Sequence, residues 1–124
     1  MKQELGPLQK QWIAELRSGK HKQGRNKLCS TEHEYCCLGV AAKFVLHQEE
    51  EESDGGAYIC LNGSSYFLGD YEKIGLHSYN GAPITDYAND LRQLTILNDD
   101  AGYTFSQIAD VLEEHPEAYF TGPK

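Results

Sequence analysis

Residues 36–46 read CCLGVAAKFVL, an apolar run in which Lys43 is the single charged residue. As a helix, this run places apolar side chains on every side, and a helix that is apolar all round lies buried in a fold. Thr31 and Glu34 have the spacing of a capping box, which predicts a helix over roughly residues 32–47. We therefore expect a central helix around which the rest of the chain packs.

The remaining sequence predicts further helices and one hairpin in a single domain, residues 1–124. Apolar residues recur three and four positions apart in three segments: residues 7–18, 85–98 and 104–115. The segment AYICLNGSSYFL, residues 57–68, has Asn62 and Gly63 between two β-rich stretches, a pattern typical of a tight antiparallel hairpin. The predicted fold class is α+β, with about four helices packed on a short antiparallel β-hairpin.

Acidic residues dominate the charge of the chain. There are 19 acids against 11 bases, a net charge of −8, and the run EEEESD at residues 49–54 is predicted as a solvated loop. This balance argues against a general nucleic-acid coat and against a membrane-surface protein. No stretch has the roughly 18 apolar residues of a membrane span, and the N-terminal residues lack the apolar core of a signal peptide. We therefore expect a cytoplasmic protein with no membrane partner.

One segment reverses the general charge. Residues 17–27, RSGKHKQGRNK, contain five of the 11 bases and no acid; we name them the basic segment. Around a glycine, such cations and the nearby backbone amides could hold a phosphate group. The spacing does not match a nucleotide-binding P-loop, and a solvated loop is the alternative interpretation. The candidate ligand-binding residues are Arg17, Lys20, Lys22, Arg25 and Lys27.

The adjacent thiols Cys36 and Cys37 are the candidate nucleophiles, with His77 as a candidate base. A cysteine at a helix N-terminus gains thiolate character from the helix dipole. The capping box, however, would place both cysteines in the second turn of the helix, where the dipole has faded. Free cysteine is also among the most buried residue types. We therefore favour packed structural thiols over a cysteine hydrolase, which remains the alternative.

A zinc site is the third possibility. Cys29, His33, Cys36 and Cys37 offer enough soft ligands for one structural zinc ion. The sequence lacks the second closely spaced ligand pair of a zinc knuckle, so the signal is weak. We expect no metal and no cofactor, and a zinc-stabilised interaction domain remains an alternative.

Residues 97–114, LNDDAGYTFSQIADVLEE, have the rhythm of a helix-turn-helix. The second helix would then read DNA, but it carries Asp110, Glu113 and Glu114 and no base. DNA phosphates would repel these carboxylates. We expect two packing helices and regard DNA as an unlikely partner.

Three segments together carry a resemblance: WIAELRSGKHKQG (12–24), YCCLGV (35–40) and LNDDAGYTFSQIAD (97–110). Their order, W-x3-LRSG with KQG, then CCLGV, then LND with F-x-x-IA, resembles an uncharacterised family of small proteins found mostly in bacteriophages and prophages. The resemblance implies no catalytic residue. Related sequences have a further cysteine two residues after CCLGV, where this chain has Ala42, and this departure weakens a metal site built from several thiols.

The resemblance implies a phage accessory protein in the host-cell cytosol. Small acidic phage proteins of this kind often act by binding: they block a host enzyme, sequester a signalling nucleotide or counter a defence system. Our leading functional hypothesis is therefore a non-catalytic binding protein. Its expected partner is a host or defence protein, or a small molecule that carries phosphate.

Overall fold

The computed structural model describes residues 4–24, 34–47, 50–53, 58–61, 71–77, 81–83 and 93–124, and of residues 50–53 and 58–61 only the backbone. Its α-helices are α1 (Pro7–Arg17), α2 (Cys37–Val40), α3 (Leu94–Asp99), α4 (Phe105–Glu114) and α5 (Pro116–Tyr119), and a short 3₁₀ helix spans Tyr71–Ile74. Its strands are β1 (Lys22–Gln23), β2 (Glu34–Tyr35), β3 (Glu50–Ser53) and β4 (Tyr58–Leu61). The α+β class is confirmed. No helix in these ranges is long and apolar enough to cross a membrane.

The helix α1 forms where the sequence predicts it. Pro7 occupies the first turn, where a missing N–H costs nothing. The apolar stripe buries Trp12, Ile13 and Leu16 against α4 and the central helix. The helix ends at Arg17, and Gly19 follows in the left-handed conformation (φ 75°), which glycine adopts without steric cost.

The central helix begins later than predicted, at Cys37 rather than residue 32. Glu34, which the capping-box pattern places in the first turn of the helix, lies in β2 instead and pairs in parallel with Lys22 of β1. Thr31 lies outside the described residues. The tertiary pairing overrides the local pattern. The helix is capped instead by Cys36, whose Sγ accepts a hydrogen bond from Gly39 N–H (3.4 Å).

The helix α2 continues without a break into a π-helical turn, Ala41–Val45. Its burial confirms the prediction from the apolar run, since Cys37, Val40, Ala41 and Ala42 have no exposed surface. Trp12 Nε1–H donates to Cys37 O (3.0 Å) and thereby fixes α1 against the start of this helix. The centre of the core therefore lies where the sequence places it.

Within the described ranges, two short sheets accompany the helices. Besides the parallel pair β1 and β2, the strands β3 and β4 pair in antiparallel fashion, with Glu52 opposite Ile59. Part of the acidic run is therefore a strand, which corrects the predicted loop; backbone pairing tolerates charged residues on an edge strand. The hairpin turn predicted at Asn62 and Gly63, and the strand after it, lie outside the described residues.

The helix α3 is shorter than the predicted residues 85–98. Gln93 has an extended backbone (ψ 141°), so the helix starts at Leu94; residues 84–92 lie outside the described part of the chain. The next helix, α4, is confirmed, and it begins with a capping box: Thr104 Oγ1 accepts from Gln107 N–H, and Gln107 Oε1 accepts from Thr104 N–H.

The C-terminal segment folds back over the core through its aromatic residues. Tyr119 and Phe120 are buried, and Phe120 meets Trp12 edge to face with ring centroids 6.1 Å apart. Leu8 N–H and Gln9 N–H both donate to Lys124 O (2.8 and 3.2 Å). These backbone donors at the start of α1 are therefore already satisfied within the chain.

Candidate functional site

Arg17, the first residue of the basic segment, is engaged within the chain. Its guanidinium contacts Asp110 (2.7 Å) and Glu113 (2.8 Å) on α4. The hydrogen bonds to Glu113 and then to Asp110 raise the pKa of Arg17 further. A role for Arg17 in ligand binding stays a prediction, and it would require the guanidinium to leave two carboxylates.

Lys20 lies in the turn that follows α1, and Lys22 begins β1. Lys20 is exposed and makes no ion pair with another residue that the structure describes. The Lys22 side chain is 70 % exposed, and its Nζ lies 3.4 Å from Glu34 Oε2, a long contact that solvent weakens. Arg25 and Lys27 lie outside the described residues. We call residues 18–24, which carry these two lysines, the binding loop.

His21 points inward between the two lysines. Its ring stacks on Phe44 with centroids 3.9 Å apart, and its Nε2 lies 2.6 Å from Glu15 Oε2. Phe44 in turn meets Tyr35 edge to face. Since the His21 side chain is only 8 % exposed, it fastens the middle of the binding loop to α1 and to the central helix.

The end of the binding loop is held by Gln23 and Gly24. Gln23 Nε2–H donates to Asn98 Oδ1 (2.9 Å) and to Tyr103 O (2.8 Å). Gly24 N–H donates to Tyr35 O (2.7 Å), and Gly24 O accepts from Asn98 Nδ2 (2.9 Å). A Cβ atom at Gly24 would lie 2.9 Å from Glu34 Cβ, so glycine permits this close approach.

Asn98 joins segments that are far apart in the sequence. Besides its bonds to the binding loop, its Oδ1 accepts from Cys37 N–H (3.2 Å) at the start of α2. The KQG, CCLGV and LND motifs therefore meet at one buried amide. Together, the loop and this junction form the candidate site. Its lysine side chains are exposed, and its backbone is held by hydrogen bonds to the core.

The thiols lie under this junction and are protonated at neutral pH. Burial raises the pKa of Cys36 to about 12, against a smaller opposing effect of the Gly39 N–H. Burial also raises the pKa of Cys37 well above its ordinary value, with a further contribution from the Cys36 and Asp99 charges. Cys36 does stand at the helix N-terminus, contrary to the register of the capping box, but its burial outweighs the helix dipole.

The structure does not bring the candidate base to these thiols. Cys37 Sγ–H points at Leu94 O (3.7 Å), and Cys36 Sγ accepts from Gly39. His77 is exposed, and its backbone N–H donates to Tyr119 O (3.2 Å) in the C-terminal segment. Among the described residues, no histidine hydrogen-bonds to either thiol.

Only two of the four candidate zinc ligands lie in the described part of the chain. Cys29 and His33 lie outside it, while Cys36 and Cys37 lie in the core. The part of the chain that the structure covers contains no group of three or more His, Cys, Asp or Glu side chains placed to hold a metal ion.

Two of the three carboxylates of the acidic helix α4 are engaged within the fold. Asp110 and Glu113 both contact Arg17, so the helix that a DNA reader would insert is fastened to α1. The helices α3 and α4 pack against each other, as the sequence predicts for residues 97–114.

Sequence reasoning did not identify Asn98, Gln23 or His21 as important residues. Each of them lies within one of the motifs that carry the resemblance, KHKQG and LND. This placement is a usable signal in the sequence. Polar residues that lie in different motifs of one family are candidates for contacting one another in the fold. The pairing of Asn98 with Gln23, 75 residues away, requires the tertiary fold.

Comparison with known proteins identifies the family. No curated protein and no solved structure matches the chain. A family model described as "Domain of unknown function (DUF8296)" matches residues 1–116, nearly the whole chain. The chain therefore belongs to the DUF8296 family.

Proposed function

We propose that this protein acts by binding, without catalysis, and that residues 18–24 are its recognition surface. The main support for the proposal is that this loop has a fixed backbone and exposed lysine side chains. Its backbone is fixed by His21, Gln23 and Gly24, while Lys20 and Lys22 stand in solvent. A binding surface that is ordered before its ligand arrives loses less conformational entropy on association.

The proposed ligand is a small molecule that carries phosphate, such as a nucleotide. The two lysines, which are separated by one residue, supply mobile point charges suited to a phosphate group. Arg25 and Lys27 follow directly in the sequence and add to the cationic character of the segment. In a chain with a net charge of −8, this local excess of cations favours an anionic partner.

The biological setting of this proposal comes from the resemblance of the motifs to phage and prophage proteins. We place the protein in the host-cell cytosol as a phage accessory protein. There it would sequester a nucleotide used by a host enzyme or by an antiviral defence system.

A thermal-shift screen tests the proposal. The probes are inorganic pyrophosphate, ATP and cyclic AMP, each added to the wild type and to the Lys20→Ala/Lys22→Ala variant. A ligand at a hundred times its Kd stabilises the folded state by about 2.7 kcal/mol, which raises Tm by several degrees in a small domain. We expect such a rise in the wild type and its loss in the double variant.

Lys10→Ala provides the matched control, because Lys10 is an exposed lysine on α1 outside the loop. This variant should respond to the probes as the wild type does. The proposal fails if no probe raises Tm, or if Lys10→Ala and the double variant lose the response equally.

A further inference from the structure

The side chain of Asn98 uses its full hydrogen-bonding capacity while having no exposed surface. Oδ1 accepts from Cys37 N–H (3.2 Å) and Gln23 Nε2–H (2.9 Å). Nδ2 donates to Gly24 O (2.9 Å) and Asp99 Oδ1 (2.8 Å). An asparagine amide has two acceptor positions and two donor hydrogens, so no capacity is left over.

The partners also fix which way the amide points. Both donors face Oδ1, and both acceptors face Nδ2. A rotated amide would set N–H against N–H and oxygen against oxygen at every contact. The site is therefore specific for an amide: a carboxylate of the same shape keeps the acceptor side and loses the donor side.

The backbone pairing beside Asn98 is too short to hold the loop alone. The strands β1 and β2 contribute two residues each, and an isolated pair of strands is marginal even at greater length. Gly24 O and the Gln23 side chain are the points at which the loop contacts α3. His21 fastens the middle of the loop, so it is the position of its end, Gln23 and Gly24, that depends on the amide of Asn98.

We infer that Asn98 is the positioning residue of the binding loop, holding residues 22–24 so that Lys20 and Lys22 share one fixed arrangement. This inference rests on the proposed function. Asn98 does not touch the ligand; it acts through Gln23 and Gly24. It also ties the loop to the first residue of α2, so that the CCLGV motif supports the loop and supplies no chemistry.

Asn98→Asp tests the inference. At pH 8 the introduced carboxylate faces Gly24 O and Asp99, with no hydrogen to donate to either. We expect the affinity for inorganic pyrophosphate, measured by calorimetry, to fall about tenfold, which is about 1.4 kcal/mol, because the two lysines no longer share one fixed arrangement before the ligand binds. Burial and the neighbouring Asp99 raise the pKa of the introduced carboxyl. A larger share of it is therefore protonated at pH 5.5 and can donate to Gly24 O, so the ratio of wild-type to variant affinity should shrink.

Ser106→Asp is the charge-matched control, because Ser106 is exposed on α4 and lies outside the loop. It should bind like the wild type at both pH values. A structural role without positioning would give a loss of affinity that does not recover at low pH. That result, or unchanged affinity in Asn98→Asp, overturns the inference.

Amide hydrogen exchange gives a second readout that does not depend on a ligand. The Gly24 N–H, bonded to Tyr35 O, should exchange faster in Gln23→Ala and Asn98→Asp, while amides of α1 and α4 keep wild-type rates. Unchanged exchange at Gly24 overturns the inference. If the wild type fails to bind pyrophosphate, the proposed function falls, and exchange at Gly24 still decides whether Asn98 holds the loop.

Discussion

At the scale of single residues, Cys36 and Cys37 show how burial decides the chemistry of a side chain. Cys36 occupies the N-cap of a helix, a position that favours a thiolate in an exposed site. In this fold it is 6 % exposed and Cys37 has no exposed surface. Desolvation disfavours the charged form, so both thiols stay neutral and act as small packing groups.

The first prediction concerns thiol reactivity. In the native protein at pH 7.5, iodoacetamide should leave Cys36 and Cys37 unmodified for hours, because the thiolate is the reactive form. In denaturant both should react within minutes. Peptide mass spectrometry, which separates this pair from Cys29 and Cys60, makes the measurement. Rapid modification of either residue in the folded protein would support the hydrolase alternative.

The second prediction concerns alkaline pH. Below the ordinary thiol pKa of 9.0, the folded and unfolded states both hold the Cys36 proton. The free energy of unfolding is therefore at its full value there, as far as this thiol is concerned. As pH rises towards the folded pKa of about 12, only the unfolded state releases the Cys36 proton. Stability should therefore fall by about 1.4 kcal/mol per pH unit for this thiol.

Urea unfolding followed by the fluorescence of Trp12, the single tryptophan, measures this slope. Cys36→Ala is the reference, since tyrosine and lysine also titrate in this range. Between pH 9.5 and 11 (a range set by ordinary thiol and buried thiol values), the wild type should lose stability more steeply than the variant. Equal slopes would contradict the raised pKa.

At the scale of secondary-structure elements, sequence patterns predicted the helices whose ends are set by neighbouring residues. The Thr104 and Gln107 box and the start at Pro7 are properties of neighbouring residues, and both hold. Thr31 and Glu34 show the limit of such patterns: the backbone of Glu34 pairs with Lys22, and a contact between distant segments leaves no local signal. The strand in the acidic run was missed for the same reason.

The third prediction concerns the contact between α1 and α4. Arg17 meets two carboxylates, but all three side chains are substantially exposed (36 %, 61 % and 54 %). A double-mutant cycle of Arg17→Ala and Glu113→Gln should therefore give a coupling of only about 0.5 kcal/mol. Urea unfolding at low and high salt measures it, and the coupling should shrink as salt screens the pair.

Arg17→Ala also separates structure from binding. Since the guanidinium is already paired with α4, its removal should change pyrophosphate affinity much less than Lys20→Ala does. A larger loss from Arg17→Ala would show that this residue exchanges its partners and joins the ligand site.

At the scale of the whole molecule, three segments spread over most of the sequence converge on one polar junction. Sequence analysis located the basic segment and the apolar centre, because composition and periodicity report charge and burial directly. It could not show that Gln23, Cys37 and Asn98 meet, since 61 and 75 residues separate Asn98 from its partners. The convergence shifts attention from the thiols to the loop above them.

The most direct test of this account is a backbone amide chemical-shift map of the isotope-labelled protein titrated with inorganic pyrophosphate. We expect the largest shifts on residues 20–24, with smaller shifts at Asn98 and Tyr35. Absence of shifts at millimolar pyrophosphate would contradict a phosphate-binding loop. Shifts centred on Cys36, Gly39 or His77 would contradict it as well, and would return the function to the thiols.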